Sequence, residues 1–96
     1  MFKDYYKILE IPQQASLSEI KQAYRTASKK WHPDMNPGKD TTQMMQDINE
    51  AYAILKEETK RMRYDAEYVL FNLVHDNFYK RKKVQIWPNN FAITLV

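Results

Sequence analysis

Apolar residues recur along this chain at steps of three and four, in blocks closed off by proline. Steps of that length mark one face of a helix. The first block, "DYYKILEI", opens on Asp4, a good N-cap, and places Tyr5, Ile8 and Leu9 at helical spacing. Pro12 disfavours helix in the residue before it, so a short helix is predicted. The second block, "ASLSEIKQAYRTASKKW", begins at Ser16 or Ser18, and Ser16 with Glu19 fits a capping box. Ile20, Ala23, Tyr24, Ala27 and Trp31 share one face, while Lys21, Arg25 and Lys29 fall four apart on another.

Pro33 stops that helix, and "HPDMNPGKD" reads as a loop of about ten residues, since it holds the only glycine and two of the four prolines. A third block, "TTQMMQDINEAYAILKEE", carries the stripe Met44, Met45, Ile48, Ala51, Tyr52 and Leu55. Two amphipathic helices joined by such a loop are expected to pack antiparallel, stripe to stripe, with the first short helix lying across them. "TKRMRYDAEYVLFNLVHDNFYKRKK" reads as a further helix, with Val69, Leu70, Leu73, Val74 and Phe78 as its apolar side. Its start, around residues 58 to 65, fits either a separate short helix or the same one. Beyond it, "VQIW" and "FAITLV" are rich in β-formers, and Pro88-Asn89-Asn90 between them signals a turn. A small hairpin there needs something to lean on.

At 96 residues, 44% of them apolar and 14% aromatic, the chain has the material for one small core. Absence of cysteine removes disulfides, thiolate nucleophiles and thiolate zinc sites together. The N-terminus lacks the apolar run of a signal peptide, and no stretch reaches the length needed to span a bilayer. The expectation is a soluble intracellular protein, cytoplasmic by default. Net charge is only +3, so any cationic surface must come from clustering.

His32 and Asp34 invite an enzymatic reading, which finds no support around them. Pro33 tends to splay the two side chains, no activated nucleophile is evident, and a domain this small has little room for a substrate pocket. A metal site is disfavoured because His75, the other histidine, lies on a different predicted helix, and Asp34, Asp40 and Asp47 are too scattered for a calcium loop. One glycine cannot build a phosphate cradle. No cofactor is expected. Nucleic acid is a stronger rival, with Lys21, Arg25, Lys29, Lys30 and the "KRKK" run as phosphate contacts. Acids at 47, 50, 57, 58, 65 and 67 weigh against it. What remains is a recognition loop. A proline-fixed "HPD" costs little to order, Asp34 suits an arginine fork on a partner, and the lysine stripe would steer toward an acidic surface.

"DYYKILEI", "SEIKQAYRTASKKWHPDMNP", "INEAYAIL" and "KRMRYD", in that order and spacing, closely resemble the signature segments of the J-domain of DnaJ-type co-chaperones. The resemblance runs from about residue 3 to residue 66. It implies an all-α fold: an antiparallel hairpin of helices II and III with short helices I and IV, residues 1–66, followed by a C-terminal extension at 67–96. It also implies that the HPD loop and basic helix II dock on a DnaK-type heat-shock chaperone and stimulate its ATPase, while the J-domain hydrolyses nothing. Carried over by position, His32, Pro33 and Asp34 form the motif. Tyr24, Lys21 and Arg25 are helix II contacts, with Lys29, Lys30 and Asn36 beside them. Ile8, Leu9, Ile20, Trp31, Ile48, Tyr52 and Leu55 are assigned to the core.

This chain departs from the family pattern at several positions. Thr26 stands where a further basic residue is usual, which thins the positive face. Ala27, Ser28 and Met45 replace what are commonly leucine, alanine and phenylalanine, so local packing is expected to differ. The glycine/phenylalanine-rich linker and cysteine-rich zinc module of full-length DnaJ proteins are absent, which fits a J-domain-only co-chaperone or a fragment of a longer J-protein. An alternative is a J-like structural adaptor whose residues 67–96 carry a specific protein interaction without chaperone stimulation.

Overall fold

The computed structural model describes the backbone of residues 2–83 and the side chains of residues 2–75. The described residues are helical, in the order α1 (Tyr5–Leu9), α2 (Leu17–Lys30), a 3-10 turn (Pro33–Met35), α3 (Thr42–Leu55) and α4 (Glu58–Lys83). The hairpin expected near the C-terminus lies outside the described residues. The residues left open whether 58–65 form a separate short helix, as the resemblance implied, or the start of the longer one read over 59–83. The structure has the latter, with α4 continuous over 26 residues. No proline or glycine interrupts 58–83, so nothing in the local sequence ends the helix where the resemblance implied. The chain divides into two compact units after Asp65.

Local signals set the helix ends. The Asp4 carboxylate accepts from the Lys7 backbone N–H at 3.1 Å and caps α1. α1 ends before Pro12 is reached, because Glu10 turns left-handed (φ 59°) and the Glu10 and Ile11 N–H groups return to the Lys7 and Tyr6 carbonyls. Ser16, rather than Ser18, caps α2. Its hydroxyl accepts from the Glu19 N–H at 3.1 Å while the Glu19 carboxylate accepts from the Ser16 N–H at 2.7 Å. At α3 the cap comes from an unexpected residue: Asp40 accepts from the Thr42 N–H at 3.0 Å, and that bond holds its carboxyl below the usual range.

In the first unit, α1 packs on α2 and α3, and α2 packs on α3. Tyr24 of α2 stacks on Tyr52 of α3, centroids 4.2 Å apart, and donates its hydroxyl to Asn49 at 2.9 Å. These partners sit about equally far from the loop joining the helices, which is an antiparallel register. The core is Tyr6, Leu9, Ala15, Ile20, Ile48, Ala51, Leu55 and Tyr64. Burying an Ile or Leu side chain fully is worth about 1.5–3 kcal/mol, so Ile20, Ile48 and Leu55 anchor the hairpin. Ile8, Trp31 and Tyr52, expected in the core, are only half-buried, and Tyr6 and Tyr64 take the interior instead.

The start of α4 locks this unit. Arg61 donates from Nη2 to the carbonyls of Gln13 (2.9 Å) and Ala15 (2.7 Å), and from Nε to the Tyr6 hydroxyl at 3.1 Å. Tyr6 in turn donates to Asp65. The Tyr64 hydroxyl accepts from the Tyr5 N–H at 2.9 Å and donates to the Lys3 carbonyl at 2.6 Å. Its ring stacks on those of Phe2 and Tyr5. "KRMRYD" is therefore the clasp that holds α1, the α1–α2 loop and the N-terminal strip in place. In the second unit, Val69, Leu70, Leu73 and Val74 are exposed, and Phe71 stacks on His75.

Candidate functional site

The site is built on the end of α2 and the turn that follows it. Lys29 and Lys30 occupy the last turn of α2, where cations complement the helix dipole. Pro33 then occupies the first position of the 3-10 turn, where its missing N–H is no loss. His32 caps that turn: its Nδ1 accepts from the Asp34 backbone N–H at 3.1 Å. With Nδ1 an acceptor, the neutral ring carries its proton on Nε2.

The expectation that proline would splay His32 from Asp34 is corrected, because the turn folds Asp34 back until its carboxylate lies 3.7 Å from His32 Nδ1. That gap is too long for a hydrogen bond, and Nδ1 is already taken by the backbone, so no charge-relay geometry results. The Asp34 side chain remains 89% exposed, and His32 is about half-exposed. A carboxylate so placed, with few protein donors of its own, offers its oxygens outward.

Asn36 closes the turn from behind. Its amide donates to the Lys30 carbonyl at 2.9 Å and to the His32 carbonyl at 2.8 Å, tying the turn to the end of α2. The backbone adds bonds from Met35 N–H to the His32 carbonyl and from Asn36 N–H to the Pro33 carbonyl. The sequence placed Asn36 among the contacts; the structure puts it half-buried, holding the loop.

Along α2, Lys21, Arg25 and Lys29 are exposed, as the four-residue spacing required. Lys30 is drawn aside, 3.6 Å from the Glu10 carboxylate and 5.7 Å from the centre of the Trp31 ring. Tyr24 is half-buried, its ring held by Tyr52 and its hydroxyl by Asn49. The turn and the basic face thus form one continuous surface, with Tyr24 packed at its back edge. An open depression of about 420 Å³ lies at the tip, lined by Ser28, Lys29, His32, Asp34 and Met35. Sequence reasoning passed over Met35, although a methionine inside a polar loop is itself a signal.

Among the described residues no three histidines or acids gather as a metal site would require. No described helix is long and apolar enough to cross a membrane.

Comparison with known proteins agrees with this geometry. The family model of the DnaJ domain matches residues 4–65. The Chaperone protein DnaJ of Pediococcus pentosaceus is 52% identical over 63 residues, 66% of this chain and 17% of that protein. That of Caldicellulosiruptor saccharolyticus is 50% identical over 64 residues, covering 66% of this chain and 16% of its own length. That of Orientia tsutsugamushi is 54% identical over 63 residues, 65% of this chain and 17% of its own. The match therefore spans a small part of these relatives, and it is the part that holds the His-Pro-Asp turn and basic α2. By that match, the chain belongs to the DnaJ domain family.

Proposed function

We propose that this protein is a co-chaperone that docks on a DnaK-type heat-shock chaperone through the His-Pro-Asp turn and the basic face of α2, and so stimulates the chaperone's ATPase. The observation that carries this reading is the tip itself: a stapled turn presenting a nearly fully exposed Asp34 carboxylate at the end of the Lys21, Arg25 and Lys29 face. Preorganised backbone lowers the ordering cost of binding, and an exposed carboxylate awaits a cationic fork. Lys21, Arg25 and Lys29 supply steering toward an acidic surface, which raises the association rate. Tyr24 and Asn36 position this surface, and Lys30 sits at its margin. On this reading the bond cleaved is in the partner's ATP, and the protein itself hydrolyses nothing. We place the boundary of this docking domain near residue 66.

The test is single-turnover ATP hydrolysis by a DnaK-type chaperone from the same source organism. His32→Gln and Asp34→Asn are expected to remove the stimulation while leaving the helical fold intact. Full stimulation by both variants would rule the reading out.

A second reading has a specific observation behind it. Val69, Leu70, Leu73 and Val74 expose between 56% and 61% of their surface in the second unit. Exposed apolar groups at that density favour an adaptor whose residues 67–96 bind another protein. On that reading the chain does not stimulate the chaperone, and truncation after residue 66 abolishes partner capture; capture that survives truncation removes the adaptor reading.

A further inference from the structure

Met35 is 69% exposed, more than any other large apolar side chain among the described residues. Isolated exposed apolar residues are ordinary, but the backbone that carries this one is fixed. Pro33 restricts the turn, the Met35 N–H is bonded to the His32 carbonyl at 2.9 Å, and Asn36 staples the next residue to α2. The turn therefore holds the Met35 backbone beside Asp34. With Ser28, Lys29, His32 and Asp34, Met35 walls the depression of about 420 Å³ at the tip. The Ser28 hydroxyl facing this region is buried and lacks a hydrogen-bond partner among the described residues.

The chemistry of this wall complements that of the carboxylate. An ion pair made by a carboxylate as open as Asp34 is worth little in water, because solvent screens it. An apolar side chain laid against the same pair excludes water and strengthens the attraction. A long cationic side chain, above all arginine, can rest its aliphatic stem on an apolar surface while its head reaches an anion.

We infer that Met35 is an apolar anchor of the docking surface: it packs on the stem of an arginine of the DnaK-type chaperone and shelters that residue's contact with Asp34. The inference rests on the docking reading above and adds to it a specificity-determining residue. Met35 makes the tip selective for partners whose cation arrives along an apolar stem, rather than for any positive charge.

The experiment titrates the 96-residue chain into the ATP-loaded DnaK-type chaperone of its source organism, at low and raised salt, reading hydrolysis in a single turnover. Met35→Ser is expected to raise the half-saturating concentration roughly fivefold, the scale of losing part of one buried thioether side chain, with maximal stimulation unchanged. It is also expected to steepen the loss of docking on adding salt, since the Asp34 contact loses its cover. Met35→Leu keeps the apolar wall and is expected to match the parent chain in both respects. Because the side chain is exposed, thermal unfolding should not move in either variant. An unchanged half-saturating concentration for Met35→Ser overturns the inference, as does a fall in maximal stimulation alone, or a Met35→Leu variant as weak as Met35→Ser. Asp34→Asn separates the two layers: silencing by Asp34→Asn with no effect of Met35→Ser removes the anchor and keeps the docking reading. Full stimulation by Asp34→Asn removes both.

Discussion

At the residue scale, Tyr6 shows how burial and a carboxylate combine. The side chain is almost wholly buried, and its hydroxyl donates to Asp65 and accepts from Arg61. Burial first, and the Asp65 hydrogen bond second, push its ionisation from 10.0 up to about 12, against the opposing pull of Arg61. Tyr5 is moved to about 12 likewise, by burial and then by its hydrogen bond to Glu50. Both folded-state values are raised, so the fold favours the neutral phenols. Their contribution is complete below pH 10 and is lost as pH climbs toward 12, because the unfolded tyrosines ionise first. The urea midpoint is accordingly expected to fall between pH 10 and 12, and the Tyr5→Phe/Tyr6→Phe variant to show a flatter profile. A decline equally steep in that variant would assign the alkaline sensitivity elsewhere.

At the element scale, two features separate what the pattern revealed from what it hid. The caps at Asp4 and Ser16–Glu19 were legible because each is a contact between residues three apart. The clasp of Arg61, Tyr64 and Asp65 was not, because it bridges 46 to 61 positions and uses backbone carbonyls that no side-chain pattern records. Arg61→Ala strands the Gln13 and Ala15 carbonyls and the Tyr6 hydroxyl, and is expected to cost on the order of 3 kcal/mol in urea unfolding, as for lost bonds to a charged group. A loss below about 1 kcal/mol would mean that water replaces the clasp. Ala27 was singled out for its small size, and a cleft of about 180 Å³ does lie there, lined by Ile8, Leu9, Ala23, Ala27 and Trp31 among others. The missing volume explains why Ile8 and Trp31 stay half-buried where a full core was expected. Ala27→Leu fills part of this space and is expected to stabilise the domain by about 1 kcal/mol, seen as a higher urea midpoint at unchanged slope. Destabilisation would show that the cleft is too rigid to accept the side chain.

At the scale of the whole molecule, the antiparallel pair of α2 and α3 carries the His-Pro-Asp turn at its joined end. Helix periodicity, the capping box and the position of Pro33 made the hairpin, and the turn at its end, readable from the sequence. The extent of α4 was readable as well, from the helix-compatible run of 59–83, whereas the sequence left open whether its start at 58–65 was a separate short helix. Not readable was the division of labour within the site, where Asn36 and Tyr24 face inward as supports while Asp34, Lys21, Arg25 and Lys29 face out. That division depends on which side chains the loop and α3 can reach, and so on tertiary geometry. The central claim is that the outward set acts on a DnaK-type ATPase through Asp34. Its most direct test is single-turnover hydrolysis by that chaperone with the full chain and with Asp34→Asn, their thermal unfolding measured in parallel. Stimulation by the parent chain, and its loss in an equally stable Asp34→Asn variant, is the result expected here; equal stimulation by the two would contradict it.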